Sequence, residues 1–255
     1  MRSVKHYEIP HSTFLICDKV FMKRILYFSL GLIAWLSLLC SIAATAVTNE
    51  SLMKQGFLQY SQTAHLNVSA SRYGDYAHGL YQYLEGKTDA VQVKDPDTGE
   101  MVNAFSEKEN AHLRDVRGIV SFLKLARYAG GGLVIGILGT LYFFGSKDKK
   151  ALLSDAARGF ALSALFLLAA ATALAVWGIL NFDGLFITFH KLIFRNDLWL
   201  LNPNTDVLMA LMPLPFFTWY AGEITKSLLP VLIMMLLIIV AWTRIGKTQK
   251  ETNAK

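Results

Sequence analysis

The sequence is short of charge. Asp, Glu, Lys and Arg supply only 17% of its 255 residues, against 53% that are hydrophobic. A soluble domain needs about 25% charged residues to cover its surface, so this shortage excludes an ordinary soluble protein. Cysteine is scarcer still, with two residues. Cys17 lies near the amino terminus and Cys40 inside an apolar run, so neither a disulfide framework nor a zinc quartet can be drawn. Thiol chemistry outside the membrane is excluded with them. There is no GxSxG, HExxH or P-loop, no GxGxxG in a usable context, and no internal repeat or low-complexity tract. The familiar hydrolases, zinc proteases and nucleotide enzymes therefore drop out.

What the chain does have is long apolar runs. About 20 apolar residues cross roughly 30 Å of hydrocarbon, and residues 25–47 pass without one charge. Ala43, Ala44 and Ala46 resemble a cleavage site, but the run exceeds the roughly 7 to 15 residues of a signal-peptide core, so it reads as a retained anchor. Met22-Lys23-Arg24 has the form of an ordinary start. Met1 to Phe21 is accordingly expected to be a dispensable extension, and little rests on His6, His11 or Cys17. Further spans are expected at 128–144, 159–180 and 227–243. Gly130, Gly131, Gly132, Gly136 and Gly139 of the second would admit a close neighbour, the Ala-rich third reads as helix packing, and Pro230 is tolerable early in the fourth.

The net charge of +6 reports loop orientation rather than affinity for nucleic acid. Lys19, Lys23 and Arg24 precede the first span; Lys147, Lys149, Lys150 and Arg158 join the second to the third; Arg244, Lys247, Lys250 and Lys255 follow the fourth. The positive-inside rule sets these segments, 1–24, 145–158 and 244–255, in the cytoplasm, with both termini on that side. Residues 48–127 and 181–226 are expected outside. The fold class is thus mostly α: a polytopic membrane protein with four transmembrane helices, a small extracytoplasmic α/β-hairpin domain and an interfacial helical segment.

In the first outer segment Tyr73, Tyr76, Leu80 and Leu84 keep helical spacing, and Gly86 is placed to end that helix. Val91-Gln92-Val93 and Met101-Val102 flank Asp95-Pro96-Asp97-Thr98-Gly99, which reads as a hairpin. Ser106 and Glu109 have capping-box spacing, opening a helix that sets His112 and Asp115 on one face. In the second, Phe186, Phe189, His190 and Ile193 share a face while Lys191 and Arg195 can snorkel, the pattern of an interfacial helix. Trp199 and Trp219 suit an aromatic belt, Asn202-Pro203-Asn204 a turn, and Pro213 and Pro215 break any helix through 208–212.

Of six histidines, His65 and His78 fall in polar surroundings and read as solvated. His112 and His190 fall at the outer membrane boundary on separate helices that can meet. Imidazole exchanges protons near neutral pH, and two can serve as base and acid in one transfer. Asp115 could orient an imidazole, or pair with Arg114 or Arg117 at the surface. His112, Asp115 and His190 could also hold a metal, although no third strong ligand is visible. No acidic residue sits mid-span, which disfavours a transporter.

Ala111-His112-Leu113-Arg114-Asp115-Val116 resembles an HxxDV motif. Phe186-Ile187-Thr188-Phe189-His190, continuing through Phe194, Asn196, Trp199, Pro203, Asp206, Leu208, Pro213, Phe216 and Phe217, resembles a second. Together they resemble the bacterial lipoprotein intramolecular transacylases, the Lit family. The resemblance spans the four-helix layout, is loose over 48–105, and leaves Met1 to Phe21 without a counterpart. It implies an acyltransferase of the bacterial cytoplasmic membrane, working at the outer leaflet. The sn-2 acyl chain of a diacylated lipoprotein would pass to the α-amino group of the lipidated cysteine, giving the lyso form.

The substrate brings its own nucleophile, so no catalytic serine or cysteine, covalent acyl-enzyme, metal or cofactor is implied. His112 and His190 carry the proton transfers by motif match, in either order. Asp115 and Arg195 are supporting candidates for orientation or the oxyanion, with lipid phosphate the alternative partner of Arg195 and Lys191. Asn196, Trp199, Pro203 and Asp206 read as structural, respectively a capping amide, a belt indole, a turn and a helix N-cap. Phe189, Phe194 and Phe216 could line an acyl groove or simply pack. Competing readings are a non-enzymatic envelope protein whose outer domain binds a partner, and a metal-dependent outer-leaflet hydrolase.

Overall fold

The computed structural model describes residues 11–145 and 148–253, and the side chains of 20–145 and 148–244. His6, Cys17 and the side chain of His11, with Lys19, Lys147, Lys247, Lys250 and Lys255 of the charge pattern, lie outside the described residues and side chains. In chain order the elements are α1 (His11–Val47), α2 (Glu50–Tyr60), α3 (Tyr73–Leu84), β1 (Gln92–Lys94), β2 (Met101–Asn103), α4 (Glu107–Thr140), α5 (Lys149–Leu180), α6 (Phe182–Ile193), α7 (Val207–Leu211) and α8 (Leu214–Asn253). A wider helical turn over Leu141–Gly145 continues α4.

Four helices are long and apolar enough to cross a membrane, over Val20–Val47, Glu107–Gly145, Lys149–Leu180 and Leu214–Arg244. Each outruns its apolar core. At about 1.5 Å per residue, the 39 residues of the second amount to nearly twice the hydrocarbon thickness. Nothing in 107–127 breaks the helix, so the charged stretch and the apolar run form one rod. The fourth starts well before residue 227, because Pro215 falls in the first turn of α8, where its missing N–H costs no hydrogen bond.

The chain forms two compact units: one of residues up to Leu36, Gly130–Ala170 and from Val231, the other of Ser37–Ala129 and Ala171–Pro230. In the first, Tyr27, Leu30 and Val134 are buried, with Ile33, Ile137, Leu138 and Phe160 packed around them. Here α1 and α5 touch at glycines. A Cβ on Gly159 would lie 2.4 Å from the Tyr27 carbonyl carbon, and one on Gly31 2.4 Å from Ser163 Oγ. The Trp35 indole donates to Phe160 O at 3.1 Å, and Lys23 pairs with Asp155 at 2.5 Å. Four of the five glycines expected to admit a neighbour do not: Gly131, Gly132, Gly136 and Gly139 face open space. Glycine permits close approach without demanding it, and the partner helix decides which glycines are used.

The second unit is cored by Phe57, Tyr73, Tyr76, Ala77, Leu80, Val91, Leu113, Val120, Leu211 and Phe216. Its helices begin and end where local chemistry directs. Asn49 Oδ1 accepts from Leu52 N to open α2. The αL residue Gly86 (φ +81) closes α3, its N–H reaching Tyr83 O while Lys87 N reaches Gln82 O, the paired bonds of a Schellman end. β1 and β2 pair antiparallel with Val93 opposite Val102, closed by Asp95, whose Oδ1 accepts from the N–H groups of Asp97 and Thr98. Those two bonds hold the Asp95 carboxyl below its ordinary range. Ser106 N donates to Glu109 Oε2 (2.7 Å) and Glu109 N to Ser106 Oγ (3.4 Å), completing the capping box before α4.

Candidate active site

Two helices of the second unit bring the motif histidines together. His112 lies in the second turn of α4 and His190 in the last turn of α6, a helix opened by Asn181 Oδ1, which accepts from Gly184 N at 2.8 Å. The two imidazole centroids are 6.3 Å apart, with the planes inclined by 34°. No hydrogen bond joins the rings, so a reacting group can be served from both sides. Both are buried, at 8% and 9% exposure.

Aromatic rings wall the pair. His190 lies 4.1 Å from Phe186, 5.1 Å from Trp199 and 5.5 Å from both Phe189 and Phe194, while Phe194 meets His112 edge-on at 5.0 Å. His190 Nδ1 is 2.8 Å from Phe186 O. A carbonyl only accepts, so Nδ1 carries the proton and neutral His190 presents its lone pair at Nε2. Burial pulls the His190 pKa below its ordinary 6.5, against the opposing pull of the Phe186 carbonyl. The imidazole is therefore neutral at pH 7. His112 Nδ1 is buried without a partner; among the described residues only Arg127 Nε is in the same position. Such a group costs about 1–3 kcal/mol and calls for a reason, which a substrate contact would supply.

The supporting candidates behave differently. Asp115 Oδ2 accepts from Asn196 Nδ2 at 2.9 Å, making no hydrogen bond to either imidazole and no ion pair with Arg114 or Arg117. Asn196 also caps its own loop, its Oδ1 accepting from Leu198 N at 3.1 Å, so the Asp115–Asn196 pair ties α4 to the chain leaving α6. Lys191 and Arg195 are exposed, with no polar partner among the described residues. Trp199 lies against His190 as well as near the surface. Pro203 contributes its carbonyl to His65 Nε2 at 3.0 Å, and His78 binds Glu50 at 3.1 Å. Phe216 is core, 2% exposed and 5.7 Å from Phe57, while Phe194 and Phe189 flank the imidazoles. No group of three or more His, Cys, Asp or Glu suited to a metal occurs among the described residues.

Asp206 occupies the N-cap position of α7, but its carboxylate turns back to Asn202 N at 2.7 Å and does not cap. Glu109 does that work instead. Only 2% exposed, it spends Oε2 on Ser106 N and Oε1 on Leu208 N at 2.6 Å. One carboxylate thus caps two helices, and it stands one turn before His112. The capping-box spacing identified half of this role; the other half joins residues 99 apart and leaves no local signal.

A profile of the family described as lipoprotein intramolecular transacylase Lit matches residues 27–217, which include both histidines, Asn196, Trp199, Pro203 and Asp206. Among solved structures the chain resembles the membrane integral lipoprotein intramolecular transacylase Lit from Bacillus cereus, at 22% identity and TM-score 0.61, over 91% of this chain and 99% of that one. Two forms of that protein, with a histidine changed to arginine or to alanine, match at 21% identity and TM-score 0.59, over 94% and 92% of this chain and 99% of each. No curated protein matches. With the profile covering well over half its length, the chain belongs to the lipoprotein intramolecular transacylase family.

Proposed function

We propose that this protein moves the sn-2 acyl chain of an S-diacylglyceryl cysteine onto the α-amino group of the same cysteine, converting a diacylated lipoprotein to its lyso form. Family membership supplies the reaction class. The observation that carries the mechanism is the pair of buried imidazoles, 6.3 Å apart and walled by aromatic rings.

An α-amino group has a pKa near 8 and attacks only when neutral. The tautomer set by Phe186 leaves Nε2 of His190 to accept the proton as nitrogen bonds to the ester carbonyl. His190, now imidazolium, passes that proton on through neutral His112, which takes it at one ring nitrogen and gives one from the other to the sn-2 oxygen as the carbon–oxygen bond breaks. Nitrogen has lost one proton and oxygen gained one. Both imidazoles end neutral, as they began, and no acyl-enzyme forms. Both reacting groups hang from one tethered substrate, which supplies much of the advantage of proximity. The aromatic walls exclude water that would otherwise divert the ester to hydrolysis.

Arg195, exposed and unpaired, suits lipid phosphate better than a developing oxyanion; Asp115 acts through Asn196 in holding α4 to the α6 loop. The site is read as facing the outer leaflet, with both termini in the cytoplasm, from the basic residues at the opposite ends of the spans. Co-expression with a diacylated lipoprotein, followed by fragmentation of its amino-terminal lipopeptide, tests the reaction. An isomer of unchanged mass with one acyl chain on nitrogen is expected. Fragments matching an enzyme-free control, from cells holding folded and inserted protein, would contradict it.

A further inference from the structure

Away from the histidines, α1 and α5 frame a cavity of about 180 Å³ whose polar lining is Lys23, Arg24, Tyr27, Asp155 and Arg158. Three cations thus face one carboxylate. Asp155 is engaged by Lys23 at 2.5 Å, with Asp148 also bearing on Lys23, whereas Arg24 and Arg158 are exposed and meet no polar partner among the described residues. Basic residues at span ends ordinarily report orientation and nothing more. Tyr27 sets this group apart. The residue is 3% exposed, its backbone packed against α5 at Gly159, and its side chain lines the cavity with the hydroxyl bonded to no described residue. A hydroxyl free to donate, on one cavity with two unpaired guanidinium groups, is a donor set awaiting an acceptor.

Guanidinium forks match the oxygens of a phosphate bidentately, and a phenol adds a third donor. The lining also includes Val20 and Leu162, 45% and 36% exposed, an apolar surface that a glycerol backbone and its first methylenes would cover and a free phosphate would not. We propose that this cavity binds the phosphodiester head group of an anionic phospholipid, its acyl chains remaining among the lipids around α1 and α5.

Native mass spectrometry of the full chain in mild detergent provides the test. Phosphatidylglycerol, phosphatidylcholine with the same chains, and inorganic phosphate are titrated separately and in competition. The first phosphatidylglycerol is expected to bind about tenfold more tightly than the first phosphatidylcholine. The double variant Arg24→Gln, Arg158→Gln should abolish that preference. Tyr27→Phe, which removes only the hydroxyl, should weaken it a few-fold at unchanged thermal stability. Equal affinity for the two lipids, or a preference that survives the double variant, would overturn the proposal. So would displacement of the lipid by millimolar phosphate, which would assign the cavity to the soluble ion.

Discussion

The two units of this protein are held together by different physics. The unit containing the histidines has a core of aromatic and aliphatic side chains and is cross-wired by side-chain bonds over long sequence distances: Glu109 to Leu208 N, Ser61 to Leu211 O, Asn196 to Asp115, and the Tyr220 hydroxyl to Ala46 O. The unit of Tyr27 and Gly159 has a small apolar cluster and a glycine contact, supported among the described residues by the Trp35 indole bond and the Lys23–Asp155 ion pair. Lipid tails are as apolar as leucine, so helices among them gain little by hiding apolar surface and rely on close backbone approach. A polar-sided unit stabilises itself by burial and must satisfy what it buries. Chemistry belongs in the second kind, where rings and caps can hold an imidazole in one orientation.

The largest expected break is in activity. His112→Ala and His190→Ala should each lower the rate of N-acyl product formation by about 10²- to 10⁴-fold, the usual size of a general acid or base contribution, with thermal unfolding in detergent little changed. Next comes Glu109→Ala, which strips acceptors from the N–H groups of Ser106 and Leu208. At about 1–3 kcal/mol for each of the two stranded groups, a loss of roughly 2–6 kcal/mol is expected, and Glu109→Gln should recover part of it. An unchanged midpoint for the alanine variant would show that the double cap does not hold the unit together.

In the glycine-packed unit the same logic gives opposite signs at two positions. Gly159→Ala forces a Cβ to 2.4 Å from the Tyr27 backbone and should cost about 1–3 kcal/mol, read as a lower unfolding temperature. Gly136→Ala adds a methyl to open space and should be neutral or stabilise by up to about 1 kcal/mol through helix propensity. Equal effects at both positions would erase the distinction between used and unused glycines.

The smallest effect is on pH dependence. Burial lowers the folded-state pKa of His190 below 6.5, so its neutral form persists to lower pH than in the unfolded chain. The unfolded chain therefore binds more protons just below 6.5, and stability, complete above that pH, should decline as pH falls toward the folded value. In kcat/KM, the limb between pH 6.5 and 8 should belong to the substrate amine alone, with His190 adding a steeper fall only below 6.5.

Where the sequence was informative, the signal was local. The Ser106–Glu109 box, the Gly86 end and the Asp95–Gly99 turn are each decided within a few residues, and all form as their spacing implies. The histidines were legible as two separate points, one on each of two helices; their 6.3 Å approach was not, since it depends on how α4 and α6 pack. The glycines of α4 misled because glycine marks permission rather than contact, and the Gly31 and Gly159 pair that is used sits singly in two distant segments. Asp206 misled in a complementary way. It has the right residue type at the right position, but a carboxylate from α4 already holds the N–H it would have capped.

The most direct test of the central claim uses purified protein in liposomes and two synthetic lipopeptides, one heavy in both its sn-2 chain and its peptide, the other light in both. Intramolecular transfer through the histidine pair predicts N-acyl products that are all heavy or all light with the wild type, and almost none with His112→Ala or His190→Ala. Mixed heavy and light products, or full yield from either variant, would contradict it.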